Sequence, residues 1–221
     1  MTTIDREAST AVVKLPPGPP LPLAVQGVLA RQPQDRAAGH ETTATTLAWA
    51  VERLQRHPQL LDRLVADLDA GSEELLTATV FEILRTRPVI DTTFRQVKVP
   101  TLQIGPWTVP QGHTIVASIG LLHANESVFH DARRFDPDRF ISRRPDPAEW
   151  IPYGGGVRRC IGAAFATMEI RVVLRTLLRD YVISPSNARD EGWQSRGVAL
   201  APARGARVCV RPRSGEASDR L

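Results

Sequence analysis

The residues best suited to chemistry lie in one stretch, Tyr153-Gly154-Gly155-Gly156-Val157-Arg158-Arg159-Cys160-Ile161-Gly162. Three consecutive glycines lose too much backbone entropy on ordering to make a good helix or strand. They suit a tight loop where backbone passes close to something flat or bulky. Ala163 to Leu178 then shows helical periodicity, with Ala164, Met168, Val172 and Leu178 near one face. Cys160 therefore falls just before this helix or in its first turn. Free N–H groups and the positive dipole end there favour a thiolate over a thiol. Arg158 and Arg159 act in the same direction, and a thiolate is a good soft ligand for a metal. The plain alternative is a buried cysteine after a glycine turn.

Other spacings carry weaker signals. Ala37 to Leu54 predicts a long helix that ends at Pro58, yet Gly39 and the threonines at 42, 43, 45 and 46 are odd choices for its interior. Threonine hydroxyls can bond a carbonyl one turn earlier and bend a helix; they can equally cap a helix start. Glu82 and Arg85 share a helix face at i, i+3 and can pair. His123 has the look of a structural histidine rather than a ligand.

The elements that must position these groups follow in order. A helix over Leu60 to Leu68 is broken by Gly71, and another over Glu73 to Arg87 is stopped by Pro88. Strands are expected over Asp91 to Val99, Leu102 to Ile104, Trp107 to Val109 and Thr114 to Ser118, separated by proline and glycine. Short hairpins are expected from Ser184 to Arg211. Residues 1–36 form a proline-rich segment around Leu15-Pro16-Pro17-Gly18-Pro19-Pro20-Leu21-Pro22, extended or polyproline-like. Residues 37–212 form the folded part, and 213–221 a polar tail.

Composition narrows the classes of function. The 221 residues carry 28 basic and 24 acidic side chains, a net +4, and Lys14 and Lys98 are the two lysines. That charge is mild and dispersed, with no basic run or aromatic-basic stripe of the kind nucleic acid requires. The two cysteines, Cys160 and Cys209, make neither a zinc cluster nor a CxxCH motif. No run of 18 apolar residues exists, so no membrane span is expected, and no signal-peptide pattern is found. A cytoplasmic location is the expectation.

The glycine-rich stretch resembles the haem-binding loop of the cytochrome P450 family. Its aromatic-x-x-Gly-x-Arg-x-Cys-x-Gly pattern is filled by Tyr153, Gly156, Arg158, Cys160 and Gly162. Tyr153 stands where phenylalanine is usual, and the pattern leaves its hydroxyl unexplained. Ala38-Gly39-His40-Glu41-Thr42-Thr43 is similar to the family's oxygen-activation segment. Glu82-x-x-Arg85, joined by Arg139 from Phe135-Asp136-Pro137-Asp138-Arg139-Phe140, is similar to its buried charge network. Trp49 to Arg53 also fits a propionate-binding Trp-x-x-x-Arg pattern, but its place ten residues past Gly39 marks it as a chance match.

The resemblance implies haem b (iron protoporphyrin IX), with Cys160 as the axial ligand to iron. Arg158, Arg95, Gly39, Tyr153, Gly154 and Gly162 would lie about the cofactor. Glu41 and Thr42 would deliver protons during oxygen activation, while Glu82, Arg85 and Arg139 would support the cysteine loop. The implied fold is mainly α with small β-sheets, a truncated P450 fold running from the I helix to the C-terminal hairpins. The implied activity is monooxygenation of a small organic substrate, with electrons from a ferredoxin or flavodoxin and its reductase. The junction near Asp35 and Arg36 looks like an internal deletion that removes most of the distal wall. The alternative is thus a non-catalytic remnant with weak or no haem binding. A plain helical interaction module would require every ordered motif to be coincidence.

Overall fold

The computed structural model describes residues 33–196 and 198–213. Most of the proline-rich segment expected over 1–36, and the tail beyond Arg213, lie outside the described residues. Helix α1 (Pro33–Gln55) begins earlier than the expected Ala37. Proline suits a first helical turn, because its missing N–H has no partner there anyway. The chain divides into two units, Met1–His40 and Glu41–Leu221. Of the first, the described part is the opening of α1; the second holds everything below.

Helices α2 (Pro58–Asp69) and α3 (Glu74–Thr86) follow, with Pro58 at the start of α2 and Gly71 (φ 81°) in the left-handed turn between them. Next come strands β1 (Thr92–Gln96), β2 (Thr101–Ile104), β3 (Trp107–Pro110) and β4 (Thr114–Ser118), then the one-turn helix α4 (Ile119–His123). Long loops with two 3₁₀ turns, Pro137–Phe140 and Gly156–Arg158, lead to α5 (Ala163–Asp180). Strands β5 (Tyr181–Ile183), β6 (Trp193–Arg196), β7 (Ala199–Pro202) and β8 (Val210–Pro212) complete the chain. The described strands pair antiparallel as β1–β4, β2–β3, β5–β8 and β6–β7. The architecture is mainly helical with small two-stranded sheets.

The core explains why these helices are stable. Trp49, Ala50 and Leu54 of α1 pack with Leu60, Leu61 and Leu64 of α2, and with Leu75, Leu76, Val80, Ile83 and Leu84 of α3. Each of these Leu, Ile and Val side chains, fully buried, contributes about 1.5–3 kcal/mol of hydrophobic stabilisation. Helix α3 is buried on nearly all sides and carries Glu82 and Arg85 into the interior. From α5 the core takes Ala163, Ile170, Leu174 and Leu178. This corrects the sequence-based face: Leu178 is buried, but Ala164, Met168 and Val172 are exposed. The periodicity is helical either way; what selects the buried stripe is the packing of Ile170 and Leu174 among the α2 and α3 residues of the same cluster. A smaller cluster of Ala78, Phe129, Ala132 and Phe140, flanked by Phe81 and Trp150, underlies the loop region.

Candidate functional site

The loop that carries Cys160 turns on two left-handed glycines, Gly154 (φ 70°) and Gly156 (φ 63°). An L side chain at either position would be strained. The Cys160 N–H donates to the Tyr153 carbonyl at 2.9 Å and closes the loop, while Gly154 N–H donates to Ile151 O at 2.9 Å at its entry. Gly162 is the N-cap residue of α5, so Cys160 precedes the first turn rather than lying in it. The thiol is free and exposed. A Cβ added at Gly162 would sit 3.9 Å from Cys160 Sγ, so glycine leaves that side of the sulfur open. Val157 and Ile161 are fully exposed, and Phe165 on the first turn of α5 is largely so.

The Tyr153 hydroxyl now has an account. It lies 2.8 Å from Thr167 Oγ1, whose own proton goes to Ala163 O at 2.8 Å. Tyr153 must therefore donate, and its bond ties the loop to α5 one turn after Ala163. Burial pushes the Tyr153 hydroxyl pKa above its ordinary value, although the Thr167 bond opposes this. Thr167 was not singled out from sequence; its place one turn after Ala163, opposite an unexpected tyrosine, was the available signal.

Two arginines stand by the loop. Arg95 on β1 donates to Thr93 Oγ1 and Phe94 O at 2.8 Å each, and its other terminal nitrogen reaches Gly155 O at 3.4 Å. Arg158 is exposed at the end of its 3₁₀ turn, and no hydrogen bond or ion pair engages its guanidinium among the described residues. Both present cationic donors of the type that binds carboxylates. The donor set near the loop is thus one soft sulfur with flanking cations and apolar side chains. No group of three or more His, Cys, Asp or Glu that could hold a bare metal ion exists among the described residues. A single cysteine sulfur, apolar surroundings and arginines fit a large apolar macrocycle with carboxylate arms better than a naked ion.

A buried charge cluster lies on α3. Glu82 and Arg85 are 0% and 2% exposed. Arg85 uses all five of its donors. Nε and one Nη2 proton go to Glu82 at 2.7 Å each, the two Nη1 protons to His123 O at 2.7 Å and Ala132 O at 2.8 Å, and the last to Arg134 O at 3.1 Å. Glu82 also accepts from Asp136 N–H at 2.8 Å and lies 3.3 Å from Arg139 Nε. The structure brings Glu82, Arg85 and Arg139 together. The Arg139 end is looser, since its Nη1 is spent on His130 O at 3.0 Å.

Gly39 opens α1 within the first unit and has nothing within 4 Å of the position its Cβ would take. Glu41 is exposed and Thr42 half-buried. The Thr46 hydroxyl donates to Thr42 O at 2.9 Å, the one-turn-back bond expected of this threonine cluster. Trp49 and Arg53, set aside as a chance match, are engaged elsewhere: Trp49 Nε1–H donates to Leu200 O at 2.9 Å, and Arg53 Nη2 to the buried Glu52 at 2.7 Å.

Comparison with known proteins agrees with this geometry. The family model described as Cytochrome P450 matches residues 36–210, and the chain belongs to that family. It is 50% identical over 177 residues to cytochrome P450 138 of Mycobacterium tuberculosis, covering 80% of this chain and 40% of that protein. Cytochrome P450 135B1 of the same species is 43% identical over 180 residues, covering 79% and 38%. Among solved structures, CYP175A1 of Thermus thermophilus superposes with a TM-score of 0.68 at 32% identity, covering 80% of this chain and 43% of that one. A second P450, CYP102L1, gives 0.71 at 26% identity, covering 80% and 43%. The chain thus spans about two-fifths of the length of the relatives it matches. No helix among the described residues is long and apolar enough to cross a membrane.

Proposed function

We propose that this chain carries the thiolate side of a haem site, in which Cys160 would ligate the haem iron. The observation that carries the reading is the exposed Cys160 thiol on a loop set by two left-handed glycines, flanked by exposed Val157 and Ile161. When bound, a haem held by cysteine thiolate supplies dioxygen activation, the sulfur donating the electron density that favours O–O cleavage. The protein's own residues do the rest. Arg158 and Arg95 would hold the propionates as charge-assisted donors. Gly154 and Gly156 keep the loop backbone flat and tight, and Tyr153 pins it to α5. Glu41 and Thr42 hold and pass a proton toward the reaction, a role that requires only hydrogen-bond reach or one water. The overall reaction is monooxygenation of a small organic substrate, with electrons from a ferredoxin or flavodoxin and its reductase.

A second reading is favoured by a specific observation. Val157, Ile161, Phe165, Met168 and Leu121 all expose most of their apolar surface. Tight cofactor sites ordinarily enclose most of their ligand, and water over a reactive centre weakens control of protons. On this reading the chain by itself binds haem weakly and turns over little. Haem added to the purified chain, followed by gel filtration and measurement of the haem-to-protein ratio, tests both. Haem retention lost in Cys160→Ser but kept in Cys209→Ser supports the ligand assignment. Equal retention by wild type and Cys160→Ser overturns it. Weak retention that still depends on Cys160 supports the second reading.

A further inference from the structure

We propose that His123 is a positioning residue, a link that fixes the entry of the Cys160 loop to the Glu82–Arg85 cluster. The inference rests on reading Cys160 as the haem ligand. His123 ends α4 and is 1% exposed. Its Nε2 lies 3.0 Å from Ile151 N, and its Nδ1 lies 3.1 Å from Arg85 O. Ile151 N–H can only donate, so Nε2 must accept. The ring proton therefore sits on Nδ1 and donates to Arg85 O, and a single neutral tautomer satisfies both neighbours.

The Arg85 contact is reciprocal, because the Arg85 side chain donates to His123 O at 2.7 Å. Phe129 restrains both groups: the imidazole meets its ring edge-on at 6.1 Å and 89°, and the Arg85 guanidinium lies over it at 5.1 Å. From Ile151 the path continues into the loop. Ile151 O accepts from Gly154 N–H, and Tyr153 O accepts from Cys160 N–H, both at 2.9 Å. Glu82, Arg85, His123, Ile151, Tyr153 and Cys160 are thereby joined by hydrogen bonds and two short pieces of backbone. No side chain of the charge cluster is seen to bond the 153–160 loop; His123 bonds Ile151 just ahead of it, beside a second tie one residue earlier, where Trp150 Nε1–H donates to Phe81 O at 3.1 Å. A ring of the same shape without nitrogens would leave Arg85 O and Ile151 N–H both unpaired in a buried place.

The test compares wild type, His123→Phe and His123→Gln, all with Cys209→Ser, first without haem. Amide hydrogen exchange is followed residue by residue. In the Phe variant the amides of Ile151, Gly154 and Cys160 are expected to exchange at least ~10-fold faster, a change equal to about 1.4 kcal/mol, with those of Ile170 to Leu178 in α5 unmoved. Glutamine offers one donor and one acceptor, and it should restore part of the protection; if the Phe variant does not fold, the Gln variant supplies the intermediate value. Unchanged exchange in the loop overturns the proposal, and so does a uniform rise through α5, which would make His123 an ordinary core residue. Reaction of the Cys160 thiol with a disulfide reagent should speed up in parallel. In a second arm haem is added, and the ferrous–carbon monoxide band of the Phe variant should lose its thiolate character, with partial return in Gln. The haem-free arm judges His123 alone, while Cys160→Ser in the haem arm judges the ligand assignment, so the two failures are separable.

Discussion

Replacing Arg85 with leucine removes the donor on which the most interior part of the structure depends. The guanidinium makes five hydrogen bonds, two of them to a carboxylate that is 0% exposed. Leucine fills much of the volume but returns none of these. Glu82 would keep only Asp136 N–H and the longer contact to Arg139, at 2.8 and 3.3 Å. His123 O, Ala132 O and Arg134 O would lose a donor together. Breaking a buried ion pair by removing one partner costs about 3–5 kcal/mol, a large share of the ~5–15 kcal/mol that holds a typical domain folded. Arg139→Leu should cost no more than about 1–2 kcal/mol, because its contact is longer and its side chain partly wet. Urea unfolding followed by tryptophan fluorescence measures both, with the slope compared to ensure that only stability has changed. The expected order is wild type, then Arg139→Leu, then Arg85→Leu well below. A loss under ~1 kcal/mol for Arg85→Leu would refute the claim that this cluster is a structural keystone.

Other outcomes follow from the same geometry. Burial lowers the His123 pKa to about 4, aided by the nearby Arg85 charge and opposed by the bond to Arg85 O. The unfolded chain, with an ordinary histidine near 6.5, then takes up the proton first as pH falls. This contribution to stability is complete above pH ~6.5 and is lost progressively toward pH ~4, amounting to about 3 kcal/mol. Urea midpoints across that range, compared with His123→Gln, check it; a pH profile unaffected by the substitution contradicts it. Tyr153→Phe should cost about 1 kcal/mol and loosen the loop, because the Thr167 Oγ1 contact disappears; no change in urea midpoint or in Cys160 amide exchange would show the bond to be idle. In haem-loaded protein that consumes dioxygen, Thr42→Ala should raise hydrogen peroxide released per electron consumed, and equal coupling would place proton delivery elsewhere.

Much of this was legible in the residues because each signal was local. Pro58, Gly71 and Pro88 bracket α2 and α3, and the i, i+3 spacing of Glu82 and Arg85 is enough to pair them on one helix. Arg139 followed from the family resemblance rather than from spacing. The buried face of α5 is not legible in the sequence, because apolar residues occur on both sides of that helix. Only the positions of α2 and α3 decide that Ile170 and Leu174 go inward while Met168 and Val172 stay out. The Tyr153–Thr167 bond joins residues 14 apart, and the two hydrogen bonds of the His123 ring join it to residues 38 and 28 away. No periodicity reports such pairs, since they exist only once α3, α4, α5 and the loop are folded against one another.

The most direct measurement of the central claim is the reduced, carbon monoxide-bound absorption spectrum of the haem-reconstituted chain. Wild type and Cys209→Ser are expected to show the red-shifted band of thiolate ligation, with strength set by how much haem is retained, and Cys160→Ser should lack it. A thiolate band that persists in Cys160→Ser, or one that vanishes in Cys209→Ser, would contradict the assignment of Cys160 as the haem ligand.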